Sequence, residues 1–236
     1  MRPVAGAAPD STGQRRVAVG SSQRAQRPRR TRSGHPDSFV MAERWPADAA
    51  RVREAAERLR RGAVIAFPTD TLYAVGARAR DPVAVQRLYQ AKRRPADQPM
   101  VWLVSGRDQV DADALVSDTA DELMRRFWPG PLTLVLPARA VADGTTIAVR
   151  APDHEVALTL LATLGEPIAS SSANPAGQPP PVDADQVIAA LGGRIDVVLD
   201  GGPCRIGQPS TILDLSGAAP RILRQGAIEA SKLIRG

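Results

Sequence analysis

Lys92 and Arg94 stand two residues apart in Lys92-Arg93-Arg94-Pro95, and cations at that spacing can meet one anion together. An arginine fork suits bidentate phosphate or carboxylate contact, whereas a lysine acts as a point charge. The plainer alternative is a solvated basic helix end. Ser170-Ser171-Ser172-Ala173-Asn174 directly follows the apolar Pro167 to Ala169. A loop of small hydroxyls there can cradle an anion with side-chain and backbone donors, or it is an ordinary Ser/Asn turn. Arg150 ends the run Ile147-Ala148-Val149, which sets a cation at a strand end, ready for a carboxylate or simply for solvent. Pro68-Thr69-Asp70-Thr71 places two hydroxyls and a carboxylate after the apolar run Ala63 to Phe67, where open α/β sheets bind ligands.

Other chemistries lack their residues. No G-x-x-x-x-G-K-[ST] loop is present; Gly202 to Gly207 has the glycine spacing but continues Gln208-Pro209. No G-x-G-x-x-G opens a helix, and there is no C-x-x-C. The two histidines are His35 and His154, and His154 beside Asp153 reads as a helix cap more readily than as a base. Cys204 reads as inert. A pocket of hydroxyls and cations with no histidine base, metal cage or covalent nucleophile favours positioning and charge neutralisation, the means by which nucleotidyl transfer works.

The elements that must hold these residues follow from periodicity and punctuation. From Asp48, Val52, Ala55, Ala56 and Leu59 form one helical stripe that Gly62 stops. Ala63 to Phe67 suits a buried strand. Asp81-Pro82 begins a helix carrying Val85, Leu88 and Tyr89 into Lys92. A strand is expected over Met100 to Val104, a helix from about Asp118 to Trp128, and a rigid corner at Trp128-Pro129-Gly130-Pro131 before a strand Leu132 to Leu136. Ile147 to Val149 reads as a strand, 153–164 as a helix closed by Gly165, Pro167 to Ala169 as a strand, and Gln178 to Val182 as a proline-stiffened surface loop. A helix Asp183 to Leu191, strands at Asp196 to Leu199, Thr211 to Leu215 and Arg221 to Leu223, and a helix Ala227 to Ile234 complete the order. Interleaved strands and helices predict an α/β (α+β) fold with one mixed sheet over residues 42–236.

The chain has 236 residues and a formal net charge of +6. That charge belongs to residues 1–40, which hold eight arginines against Asp10 and Asp37; the remainder balances. Residues 1–41 therefore read as a disordered Arg-rich tail. Such a segment could be an RNA-attracting arm, an organelle transit peptide or an overlong reading that truly starts at Met41. No apolar run approaches the roughly 20 residues of a membrane helix, and a single cysteine fits a reducing compartment, so a cytoplasmic protein is expected.

The segments FPTDTLYAVG, YQAKRRPADQPM, WPGPLTLVL, IAVRAPDH, PIASSSANPAG, DGG and PSTILDL, in this order, resemble the YrdC family of threonylcarbamoyl-AMP synthases over about residues 50–230. The resemblance implies a twisted α/β sheet around a concave basic pocket. It implies a nucleotidyltransferase that converts L-threonine, bicarbonate and ATP, with Mg²⁺ on the phosphates, into threonylcarbamoyl-AMP and pyrophosphate. A tRNA threonylcarbamoyltransferase complex would take the adenylate, with weak contact to RNA or tRNA as a further implication. Lys92 and Arg94 match the catalytic positions; Lys92, Arg94, Thr146, Ser172, Asn174 and Arg224 match the ATP side; Thr69, Arg150, Ser170 and Ser210 match the threonine side. Ala74 stands where glycine is usual, Gln98 where asparagine is common, and Gln225 where proline is usual. Trp102 stands where longer relatives have histidine, and the chain corresponds to a short form without their extra C-terminal domain. Rival readings are a carbamoyltransferase that forms a carbamoyl-adenylate and a non-catalytic RNA-binding module of the same fold.

Overall fold

A computed structural model describes residues 41–139 and 144–233. The arginine-rich segment 1–40 lies outside them. Ten strands form one open sheet: β1 (Glu43–Pro46), β2 (Ile65–Phe67), β3 (Ala74–Arg78), β4 (Val101–Leu103), β5 (Leu132–Pro137), β6 (Thr146–Arg150), β7 (Ile168–Ser172), β8 (Val197–Asp200), β9 (Thr211–Asp214) and β10 (Arg221–Arg224). Their spatial order is β1-β8-β2-β3-β7-β4-β6-β5-β9-β10, mixing parallel pairs such as β4 with β6 and antiparallel ones such as β3 with β7. The mixed α/β class expected from the sequence is the one observed.

Five α-helices lie among the described residues: α1 (Ala49–Arg60), α2 (Pro82–Lys92), α3 (Asp118–Phe127), α4 (Glu155–Leu164) and α5 (Ala184–Leu191). Their starts are set by side chains that accept orphaned N–H groups. Asp48 caps α1 through Ala50 and Arg51, Asp81 caps α2 just before Pro82, and Ser117 and Asp183 cap α3 and α5. Strand alternation splits the core across the sheet. Ile65, Phe67, Val197 and Leu199 pack with α1 and α4, while Ala66 and Val198 pack with α2 and α5. A third apolar cluster joins α3 to β5, β6 and β9 through Met124, Leu134, Val149 and Leu213.

Four elements differ from expectation. β1 and β3 are additional strands. β3 contains Gly76 at its crossing with β7, where a Cβ would lie 2.4 Å from Ile168 Cγ2. β7 runs on through Ser170, Ser171 and Ser172, so the three serines belong to a paired strand and the turn begins only after them. Their low strand propensity is overridden by partners on both sides, β3 and β4. Of the helix expected over Ala227 to Ile234, only a 3₁₀ turn at Ala230–Lys232 forms among the described residues. No described helix is long and apolar enough to cross a membrane.

Candidate active site

The α1/α4 face of the sheet continues past Leu103 onto a cavity of about 680 Å³. Val101, Leu103, Thr133, Val135, Ala148 and Ile212 form its sheet floor. Cations lie on or just behind its wall, and they are held in two different ways.

Lys92 ends α2, and Arg93 then takes a left-handed conformation (φ 50°) that turns the chain out of the helix. Lys92 is only 1% exposed. Its Nζ donates to the backbone carbonyls of Ser172 and, at 2.6 Å, Asn174. Burial, and then the neighbouring Arg94, lower its pKa to about 8. The spacing therefore does not send both cations out of the helix end together: Lys92 is clamped beneath the wall, and Arg94 lines the cavity. Arg94 Nε and Nη2 donate to the carbonyls of Gln98 and Pro99, each at 3.2 Å. Arg224 comes from the sheet edge. β10 carries a bulge between Ile222 and Arg224 that leaves Leu223 unpaired. Consecutive residues of a regular strand face opposite sides, yet Leu223 and Arg224 both line the cavity, and the extra residue is what allows it. Arg224 donates to Ser210 O at 2.8 Å and to Ser210 Oγ at 3.1 Å; burial lowers its pKa. Among the described residues, Lys92, Arg94 and Arg224 have hydrogen-bond acceptors but no carboxylate partner.

Arg150 is held by contrast with a full charge beside it. It is 6% exposed and ends β6. Nη2 donates to Asp70 Oδ1 at 2.5 Å, Nη1 to Thr71 Oγ1 at 2.8 Å, and Nε to the Gly130 carbonyl at 2.9 Å. A guanidinium has five N–H groups, so two remain. Desolvation lowers its pKa, with the Asp70 charge opposing the shift.

Eight of the residues expected at the site line this cavity: Thr69, Arg94, Arg150, Ser170, Ser172, Asn174, Ser210 and Arg224. Lys92 lies just behind them. Thr146 is placed elsewhere, on a second hollow of about 480 Å³ with Tyr89, Met100 and Trp102. The hollows share Asp97, Pro99 and Ala148. Trp102 belongs to this second hollow because strand alternation turns it away from the first; Val101 and Leu103 are the cavity-facing residues of β4. Thr69 Oγ1 is committed to its own turn, donating to Leu72 O at 2.6 Å and lying 3.0 Å from Thr71 Oγ1. Ser170 Oγ donates to Val101 O at 3.2 Å, and Ser210 Oγ lies 2.8 Å from Thr133 Oγ1. Asn174 Nδ2 donates to Pro175 O and Gln178 O, which leaves its buried Oδ1 without a protein partner.

His154 caps α4, with Nδ1 accepting from Val156 N at 3.3 Å, as its position beside Asp153 indicated. Burial pushes the Cys204 thiol up to about 11, away from a reactive thiolate. The proline loop is pinned rather than free: Pro181 O accepts from Tyr73 N and Val182 O from Cys204 N. Gln225 turns to the carbonyls of Gly226 and Ile228, away from the cavity. Sequence reasoning singled out the turn holding Asp70 and Thr71 without giving either residue a role, and it missed Thr133. Asp70 and Thr71 had a signal in the polar turn after β2, and Thr133 in the lone hydroxyl of its apolar strand.

A family model described as Sua5_yciO_yrdC, telomere recombination, matches residues 57–226. A threonylcarbamoyl-AMP synthase of Pyrococcus abyssi is 42% identical over 190 residues, covering 78% of this chain and 56% of its own length. One from Bacillus subtilis is 41% identical over 191 residues, covering 78% and 55%. The crystal structure of P. abyssi Sua5 complexed with L-threonine superposes with a TM-score of 0.76 at 41% identity, over 82% of this chain and 60% of that one. The chain thus spans little more than half the length of these relatives.

Proposed function

The chain belongs to the Sua5, YciO and YrdC family, and on that premise we propose that it is an L-threonylcarbamoyladenylate synthase. It joins L-threonine, bicarbonate and ATP into threonylcarbamoyl-AMP, releasing pyrophosphate, as the first step toward threonylcarbamoyladenosine beside the tRNA anticodon. The observation that carries this reading is one cavity lined by Arg94 and Arg224, which have no carboxylate partner among the described residues, with Lys92 behind its wall, and by Arg150 with two N–H groups to spare.

In this reading the threonine amine and bicarbonate form an N-carboxylate and water. A carboxylate oxygen attacks the α-phosphorus of ATP, and the bond to the β-phosphate breaks as pyrophosphate leaves. Arg150 holds the amino-acid carboxylate with its free N–H pair. Arg94 and Arg224 contact the phosphates, Lys92 adds its charge from beneath the wall, and Ser172 and Asn174 shape the nucleotide side. Ser170 and Ser210 border the threonine, while Thr69 keeps the turn under Arg150 in shape. Thr146, on the second hollow, is assigned to ATP only through its neighbours Ala148 and Asp97. Among the described residues no three His, Cys, Asp or Glu side chains gather as a metal cage, and Asp97 is the one acidic residue on the cavity lining. This donor set does not fit a protein-held Mg²⁺; the ion belongs with the triphosphate. The adenylate passes to a separate cytoplasmic transferase complex that acts on tRNA.

The test is pyrophosphate release from ATP by the full chain. Turnover should require both L-threonine and bicarbonate. Release that ignores either one, or that runs on carbamoyl phosphate in place of threonine, would overturn the assignment.

A further inference from the structure

We infer that Asp70 is a positioning residue that aims Arg150 at the substrate carboxylate, an inference that rests on the function proposed above. Asp70 does not line the cavity; Thr69, Thr71 and Leu72 of the same turn do. Its side chain is fully buried, and its Oδ1 accepts from Arg150 Nη2 at 2.5 Å and from Asp153 N at 3.2 Å. Its Oδ2 is buried with no hydrogen-bond partner. A carboxylate sunk this deep is costly unless a charge answers it, and Arg150 is the only ion-pair partner it has among the described residues. A turn that needed only hydrogen bonding would be served as well by a neutral side chain.

The geometry makes the pair directional. The turn is fixed from behind, because Ile206 N donates to Asp70 O at 2.9 Å and Gly207 N to Thr71 O at 3.0 Å. Asp70, Thr71 and Gly130 then take one N–H each from Nη2, Nη1 and Nε of Arg150. Three anchored bonds fix the guanidinium plane and leave one N–H on each Nη nitrogen, the paired donors that a carboxylate accepts. Arg150 is also locked along β6, where it pairs with Leu103 of β4. Asp70 thereby neutralises part of the Arg150 charge while fixing its direction. That arrangement selects a small monoanion by geometry rather than by field strength.

The experiment compares L-threonine binding by calorimetry, and KM for threonine and for ATP, in the wild-type chain, Asp70→Asn, Arg150→Lys and the double variant. Asp70→Asn should weaken threonine binding roughly tenfold or more, the loss expected of one charge-assisted hydrogen bond, with KM for ATP changed less than about twofold. In the Arg150→Lys background the same substitution should add nothing, since both act on one contact. A folded Asp70→Asn chain with unchanged threonine affinity, or with equal losses for threonine and ATP, overturns the positioning role. If that variant fails to fold, Thr71→Val removes a second anchor and should weaken threonine binding alone; an unchanged value overturns the role equally. Wild-type chain that neither binds nor uses threonine sinks the proposed function as well, whereas active wild type with an indifferent Asp70→Asn sinks only the positioning role.

Discussion

The cavity holds its cations by two opposite means. Lys92, Arg94 and Arg224 are fixed by neutral acceptors, so each keeps its whole charge for a visitor. Arg150 is fixed by a buried carboxylate, so its net field is weak but its direction is set. The first arrangement suits a polyanion whose oxygens shift during reaction, because field strength tolerates small displacements. The second suits a single carboxylate that must stay still. Many arginines elsewhere on the surface are paired with acids, as in Arg44 with Asp185 and Asp200 or Arg107 with Asp121, and such exposed pairs contribute little. What sets the cavity cations apart is that Lys92 and Arg224 are half-buried or buried and still have no carboxylate partner among the described residues.

Removing a cation from the unpaired side should break the contrast most severely. Arg94→Ala leaves no buried group stranded, and turnover should fall by about two orders of magnitude or more, in keeping with the loss of charge stabilisation in a transition state. Lys92→Met should lose as much activity, and because it also abandons the carbonyls of Ser172 and Asn174 it should melt several degrees earlier; a thermal unfolding scan beside the pyrophosphate assay separates the two effects. Either variant with near-normal turnover would remove the unpaired side from the chemistry.

Acidity sharpens the contrast next. Lys92 loses its proton near pH 8 in the free protein, well below the ordinary lysine range. Affinity for ATP should then decline above about pH 8, approaching tenfold per pH unit, while threonine affinity stays level because the arginine remains charged. The stability effect has the opposite sign. Below pH 8 the folded chain carries the full penalty of a buried ammonium, and between about pH 8 and the unfolded lysine value the unfolded chain binds more protons, so stability rises with pH. Lys92→Met should flatten both curves.

Ionic strength gives a smaller separation. Raising salt from about 0.05 to 0.5 M should increase KM for ATP several-fold and KM for threonine little, because screening acts on field rather than on short fixed hydrogen bonds. Equal sensitivity would erase the distinction. The smallest effect is expected from Thr146→Ala, less than about twofold on either substrate, since its side chain borders the second hollow.

Much of this was legible from residues alone. Helix starts were, because Asp48, Asp81 and Asp183 are capping side chains next to periodic apolar stripes. The meeting of Arg150, Ser172 and Asn174 was legible because each follows an apolar strand run, and runs that share a sheet bring their ends together; Arg94 instead follows the end of a helix. β3 was hidden since its run holds alanines and a glycine where strands usually show branched residues; the glycine is there for close packing against Ile168. The serines of β7 look like a loop because nothing local reveals neighbours on both sides. Asp70 was seen as one polar atom among several, and its role needs Arg150 from 80 residues away. Which cavity Trp102 would face could not be read from its position: only the pleat tells which residue of β4 looks inward.

The bulge in the outermost strand makes the cavity depend on parity. Between Ile222 and Arg224 the count of residues exceeds what the partner strand requires by one. Were the ladder to close without the bulge, Leu223 would sit opposite Ile212 and Arg224 opposite Thr211, which swings the guanidinium to the sheet's reverse side with every chemical group still present in the chain. Register, at that one step, is as much a determinant of the wall as the identity of the arginine itself.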